Sequence, residues 1–145
     1  MSKNILAKVV QLYVTTASDQ PREVKDELLV DQNGVIGDKF YGKDMNRLVL
    51  ITSTEAYEMT QNNSIDIEHG TLGENILIEG SIKSLNLGER FHIGDVVFEI
   101  TQNCTLCNGL SKINSKLPKL LKDDRGIFAK AVSQGVVKKG DMVYI

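Results

Sequence analysis

The chain has 145 residues, 41% hydrophobic and 25% charged, a composition that suits one domain with a real core over residues 1–145. Its 17 Lys and Arg stand against 19 Asp and Glu for a net charge of -2, with no basic stripe interleaved with aromatics, which argues against nucleic acid as a partner. No apolar run approaches the roughly 20 residues that span a bilayer, and charges interrupt the start where a signal peptide needs a continuous apolar stretch, so the expectation is a cytoplasmic protein with no membrane partner.

Glycine and β-branched residues set the rhythm along the chain. Lys8 to Val14 reads as a first strand, rich in residues that suit a pleated surface. Glu23 to Val30 reads as a second, ending at the turn signal Asp31-Gln32-Asn33-Gly34. Arg47 to Ile51 is a short buried strand. Thr52-Ser53-Thr54-Glu55 has the form of a capping box with Thr52 as N-cap, opening a short helix through Glu58 or Gln61. Asn75 to Glu79, Arg90 to Ile93 and Val96 to Thr101 continue as short strands, with Gly80, Gly88 and Gly94 at the breaks. Ile113, Leu117, Leu120 and Leu121 then recur at helical spacing, with Pro118 in a first turn and lysines 112, 116, 119 and 122 mostly on the other, solvated face. Ile127 to Val132, Gly135 to Val137 and Asp141 to Ile145 finish as strands. The fold class is mostly β, barrel-like, with a few short helices.

The only two cysteines, Cys104 and Cys107, follow the strand that ends at Thr101. A loop on a rigid scaffold is where chemistry is usually presented. In a reducing compartment a close pair is more often reactive or metal-binding than a lasting disulfide. The residues alone leave several chemistries open. Cys107 precedes Asn108-Gly109-Leu110-Ser111, where the amides of a short helical turn would favour an anion, and Lys112, Lys116 and Arg125 supply positive charge that lowers a thiol pKa. A buried structural cysteine competes with that reading. A thioredoxin-like dithiol expects a βαβ context, and a Cys104/Cys107/His69/His92 zinc site has the right ligand types without paired histidine spacing. Among the other polar residues, Arg47 directly before an apolar strand and Arg125 before Gly126 suit bidentate binding of a phosphate or pterin, or else an internal ion pair with Asp38 or Glu74.

Three Gly-Asp pairs, at Gly37, Gly94 and Gly140, read locally as turn chemistry, with the acid solvated or bonding a turn amide. Their order is more specific. Gly34-Val35-Ile36-Gly37-Asp38 with Gly42 comes first, followed by Arg47 to Ile51 and Gly70-Thr71-Leu72-Gly73-Glu74-Asn75-Ile76. Next come Leu85 to Glu89, Ile93-Gly94-Asp95 and Ile100-Thr101-Gln102 with its cysteines, and last Arg125 to Ala129, Gly135 and Gly140-Asp141. From about Val9 to Ile145 this resembles the MOSC domain family, named for the C-terminal domain of molybdenum cofactor sulfurases.

The resemblance implies a β-barrel fold and a functional cysteine after the Ile-Thr strand, matched here by Cys107, with Cys104 as an assisting or resolving neighbour. It implies that Cys107 carries sulfur as a persulfide or contacts the molybdenum of a bound molybdenum cofactor (molybdopterin), with Arg47, Asn75 and Arg125 shaping an anion site. The chain departs from the family pattern in lacking a proline before Cys107 and in carrying Thr105 where small members often have histidine. It has no aminotransferase-like segment for pyridoxal phosphate, an association of the family alone, so a separate sulfur donor such as a cysteine desulfurase is the expected partner. The alternatives are a thiol-dependent binding or redox module without molybdenum, and a molybdopterin-dependent reductase of N-hydroxylated compounds.

Overall fold

Strand β1 runs from Ile5 to Val14 and is long enough to pair on both edges. A computed structural model describes residues 4–17, 22–103, 114–121 and 126–145. After β1 come β2 (Glu23–Lys25), β3 (Glu27–Asp31), β4 (Gly34–Val35) and β5 (Val49–Ser53), then helix α1 (Thr54–Asn62). Then follow β6 (Ile76–Gly80), β7 (Arg90–Ile93), β8 (Val96–Asn103), the single-turn helix α2 (Leu117–Leu120), β9 (Ile127–Ala131), β10 (Gly135–Lys138) and β11 (Met142–Tyr144).

Seven of these strands close a barrel in the order β1, β11, β7, β8, β9, β5, β6 and back to β1. β5 and β6 pair in parallel, Ile51 opposite Ile76, and α1 lies in the crossover that parallel neighbours require. β2 extends the sheet at the far end of β1, while β10, β3 and β4 form a separate three-stranded sheet. The mostly β, barrel-like fold expected from the sequence is therefore the fold observed.

Alternation along the strands explains the layers. Val49 and Ile51 of β5, Ile76 and Ile78 of β6, Ile100 of β8 and Ala129 of β9 point into the barrel core, with Phe91 and Phe98 stacked at 5.8 Å. Leu28, Val30, Val35 and Val137 of the small sheet join the same cluster. The intervening Tyr13 and Leu77 face outward, where α1, Leu72, Leu117 and Leu121 cover them in a second cluster. Leu117 and Leu121 are fully buried there, each burial stabilising by about 1.5–3 kcal/mol, while Lys116 and Lys119 face solvent as the helical pattern requires.

Three expectations change at the level of local structure. The stretch from Glu23 to Val30 breaks at Asp26 into β2 and β3, which belong to different sheets. The helix cap lies one residue later than the capping-box pattern suggests: Ser53 is the N-cap, its Oγ accepting from the Glu55 amide at 3.1 Å, whereas Thr52 is a buried strand residue paired with Leu77. The parallel pairing carries β5 through Ser53, so the helix begins only after it. The helical pattern after the cysteines appears, among the described residues, as α2 alone; Ile113 lies outside them.

The Gly-Asp turns behave as turns. Gly94 holds φ 57° in the two-residue connection between Ile93 and Val96, and a Cβ there would fall 2.5 Å from Asp141 Oδ2. Asp141 in turn accepts from the Lys138 amide at 2.8 Å.

Candidate functional site

A buried polar cluster fixes the end of the barrel where β1 finishes and β5 and β6 begin. Asn75, 4% exposed, accepts from the Leu50 amide through Oδ1 at 3.1 Å and donates through Nδ2 to the Tyr13 carbonyl and Asp38 Oδ1, each at 3.3 Å. Asp38, 5% exposed, also accepts from the amides of Thr15 at 2.9 Å and Phe40 at 3.2 Å. These bonds tie Asp38 and the Leu50 amide of β5 to the end of β1.

Glu74 is fully buried and receives Tyr57 Oη at 2.8 and 2.6 Å and the Gly70 amide at 3.2 Å. Burial, reinforced by Glu74, pushes the Tyr57 hydroxyl far above its ordinary range, so it remains a donor. The guanidinium that reaches this neighbourhood is Arg22. It donates to Thr15 Oγ1 at 2.8 Å and to the Glu74 carbonyl, and lies 5.8 Å from the Tyr13 ring centre. Burial lowers its pKa, opposed by the charges of Glu74 and Asp38. Among the described residues the internal arginine is therefore Arg22, a role considered from sequence for Arg47 and for Arg125, which lies outside them. Asp38 and Glu74 act structurally.

Arg47 lies elsewhere. It is exposed, its guanidinium sits 5.0 Å from the centre of the Phe128 ring on β9, and it pairs with no carboxylate among the described residues. Phe128 packs with Leu50 on the outside of the barrel and stands opposite Gln102 of β8. Thr101 Oγ1 donates to the Asn46 carbonyl at 2.7 Å, so the turn carrying Arg47 is bonded to the strand that leads to the cysteines. An exposed, flat guanidinium on an aromatic face has the donor chemistry to bind a phosphate or similar anion.

Cys104, Cys107 and Arg125 lie outside the described residues. The described chain brackets them. Asn103, opposite Ile127, precedes the first cysteine. Gly126 follows Arg125 and packs against β5 so closely that a Cβ would lie 2.7 Å from the Ile51 carbonyl and 2.8 Å from Thr52 Oγ1. Asn75 is not beside Arg47 at the surface; it acts from inside by holding the strand and loop on either side of it. Of the histidines considered for zinc, His69 packs against Tyr57 at 4.8 Å and His92 stacks on Tyr144 at 4.8 Å. Among the described residues no His, Cys, Asp and Glu group is arranged to hold a metal ion.

Sequence reasoning missed Arg22, Tyr57 and the role of Thr101. Tyr57 carries a signal in retrospect, being a helical residue on the same face as Ala56 and Thr60, all buried. Arg22 sits in no pattern, and nothing local marks Thr101 as a bonding partner of Asn46.

The sequence model for the MOSC domain matches residues 35–144. A search of curated proteins gives no match. Among solved structures, the YuaD protein of Bacillus subtilis superposes with a TM-score of 0.85 at 20% identity, covering 99% of this chain and 97% of that one. YiiM of Geobacillus stearothermophilus gives 0.66 at 16% identity over 99% and 75% of the two chains, and YiiM of Escherichia coli 0.67 at 18% over 95% and 69%. At these identities the likeness is one of fold.

Proposed function

Because the chain belongs to the MOSC domain family, which is generally associated with molybdenum cofactor binding, we propose that it binds that cofactor or carries sulfur for it through Cys107. The observation that carries the reading is the exposed Arg47 guanidinium on Phe128, whose strand partner Gln102 lies just before Cys104. A cation held at the exit of the cysteine-bearing strand serves both a bound anionic cofactor and a thiolate.

Arg47 and Arg125 would hold the anionic part of the cofactor by paired N–H donors, with Asn75 fixing the strand and loop on either side of Arg47 from the barrel interior. Cys107 would contact the metal or carry the sulfur, with Cys104 assisting. Bound there, the cofactor supplies a redox-active metal whose sulfur ligand can be exchanged.

The sulfur itself comes from a donor protein persulfide, such as that of a cysteine desulfurase. The Cys107 thiolate attacks the outer sulfur, a new S–S bond forms, and the donor S–S bond breaks to release the donor cysteine as a thiolate. No net electrons are exchanged, and a persulfide remains on Cys107.

Two measurements test this. Protein purified from a cofactor-producing host is assayed for molybdenum by mass spectrometry and for oxidised pterin by fluorescence; absence of both counts against cofactor binding. Incubation with a desulfurase and cysteine should add one sulfur mass that persists in Cys104→Ala and disappears in Cys107→Ala. A mass shift that survives Cys107→Ala overturns the assignment.

A further inference from the structure

Strand β8 carries an irregularity immediately before the cysteines. Ile100 pairs with Ala129, yet Gln102 pairs with Phe128, so two steps along β8 match one along β9 and Thr101 is the extra residue. This is the arrangement of a β-bulge, a device that re-aims side chains and is frequent next to functional sites. Regular alternation would place residue 102 on the same face as Ile100, which is buried in the core with Ala129. The extra residue instead sets exposed Gln102 opposite Phe128, which packs outside the core.

The displaced residue is itself bonded. Thr101 Oγ1 donates to the Asn46 carbonyl at 2.7 Å, across 55 residues of sequence. Asn46 belongs to a turn closed by the Arg47 amide on the Asp44 carbonyl at 2.9 Å and by the Asn46 amide on Asp44 Oδ1 at 3.0 Å. The next side chain is the guanidinium on Phe128. One bulged residue thus turns the face of β8 outward and fastens the Arg47 turn to it.

We propose that Thr101 is a positioning residue: from the bulge it locks the Arg47 turn so that the guanidinium stays on Phe128 beside the strand that delivers the cysteines. The consequence for function rests on the reading of Cys107 as the active thiol. Thr101 acts through Arg47, by way of the Asn46 carbonyl.

The lock has a direct spectroscopic signature. A side chain 5.0 Å above a ring centre feels the ring current, so the Arg47 Nε–H resonance should be displaced upfield. In full-length protein Thr101→Val should remove most of that displacement and Thr101→Ser, which keeps the hydroxyl, should retain it. If Thr101→Val leaves the resonance in place, or Thr101→Ser moves it equally, the proposal is overturned.

A second measurement separates the lock from the functional reading. In a Cys104→Ala background, the rate at which an anionic aromatic disulfide modifies Cys107 is divided by that of a neutral dipyridyl disulfide, at one pH and low salt. Arg47→Gln should lower this ratio several-fold. Thr101→Val should lower it to a similar extent, Thr101→Ser should not, and the double variant should fall no further than Arg47→Gln. A fall in Arg47→Gln with none in Thr101→Val overturns the proposal and leaves the thiol reading standing. No fall in Arg47→Gln overturns the pairing of Arg47 with Cys107, and the resonance alone then decides the lock.

Discussion

The Tyr57 hydroxyl lies 2.6 Å from one oxygen of Glu74 and 2.8 Å from the other, and the same hydroxyl accepts the amides of Gly70 at 2.9 Å and Leu72 at 3.2 Å. One phenol therefore satisfies a fully buried carboxylate and two buried amides. It also fastens α1 to the segment that leads into β6. Tyr57→Phe keeps the ring and removes all of these bonds, so it should cost about 3 kcal/mol, chiefly because the buried Glu74 carboxylate loses its hydroxyl donor. Urea unfolding at neutral pH measures it; an unchanged midpoint rules out the role.

The same pair sets an alkaline limit. Burial and Glu74 hold the hydroxyl above its ordinary value of about 10. Above that pH the unfolded chain loses a proton that the folded chain keeps, so the contribution is intact below about pH 10 and stability falls as pH rises past it. Tyr57→Phe should show a shallower fall, the remainder coming in part from Tyr13, which burial and Glu74 also raise. Equal slopes for the two proteins would contradict this.

Asn75 bridges two strands and a loop, with Leu50, Tyr13 and Asp38 as partners. Asn75→Ala should cost about 2–3 kcal/mol by stranding the Leu50 amide. Asn75→Asp should cost more, since an acceptor replaces the donor facing the Asp38 carboxylate. Denaturant midpoints of the two variants give the order, and the reverse order would mean that the contact with Asp38 contributes little.

At Gly126 the neighbours, not the backbone angles, demand glycine. A Cβ would press on the Ile51 carbonyl at 2.7 Å and Thr52 Oγ1 at 2.8 Å. Gly126→Ala should destabilise by about 1–3 kcal/mol through overpacking and shift the amide resonances of Ile51 and Thr52. Unmoved resonances with full stability would refute the close approach.

Ser53 caps α1 and also donates to the Gly80 carbonyl at 2.6 Å. Ser53→Ala should cost about 1 kcal/mol and speed hydrogen exchange at the Glu55 amide. Thr52→Val should leave that amide's exchange close to wild type, and faster exchange there would return the cap to Thr52.

These contacts mark where sequence reading works and where it stops. Strands such as Arg90 to Ile93 were legible because alternation is written locally, and the ordered glycine motifs carried the family and its barrel. The cap was misplaced because Thr52 is claimed by pairing with Leu77, a partner from another strand. The split at Asp26 escaped for the same reason, since β2 answers to β1 and β3 to β10. At the site, Arg47 was legible as a charge before an apolar strand, with an anion or an internal carboxylate equally open as its partner, and its Phe128 platform depends on a register no local pattern encodes. Arg22 was invisible because its partners Thr15 and Glu74 meet only in the folded barrel. Cys104, Cys107 and Arg125 remain readings of the sequence and its family.

The barrel closes through β1, whose one edge takes β6 and whose other takes β11, the pairing of Ala7 with Val143 among them. During synthesis the seam cannot form until residues beyond Met142 have left the ribosome. Until then β1 and β7 each present an unpaired edge, the kind of surface that recruits stray strands. The nascent chain is therefore most exposed to aggregation until β11 has emerged, and truncation ahead of β11 would make that hazard permanent.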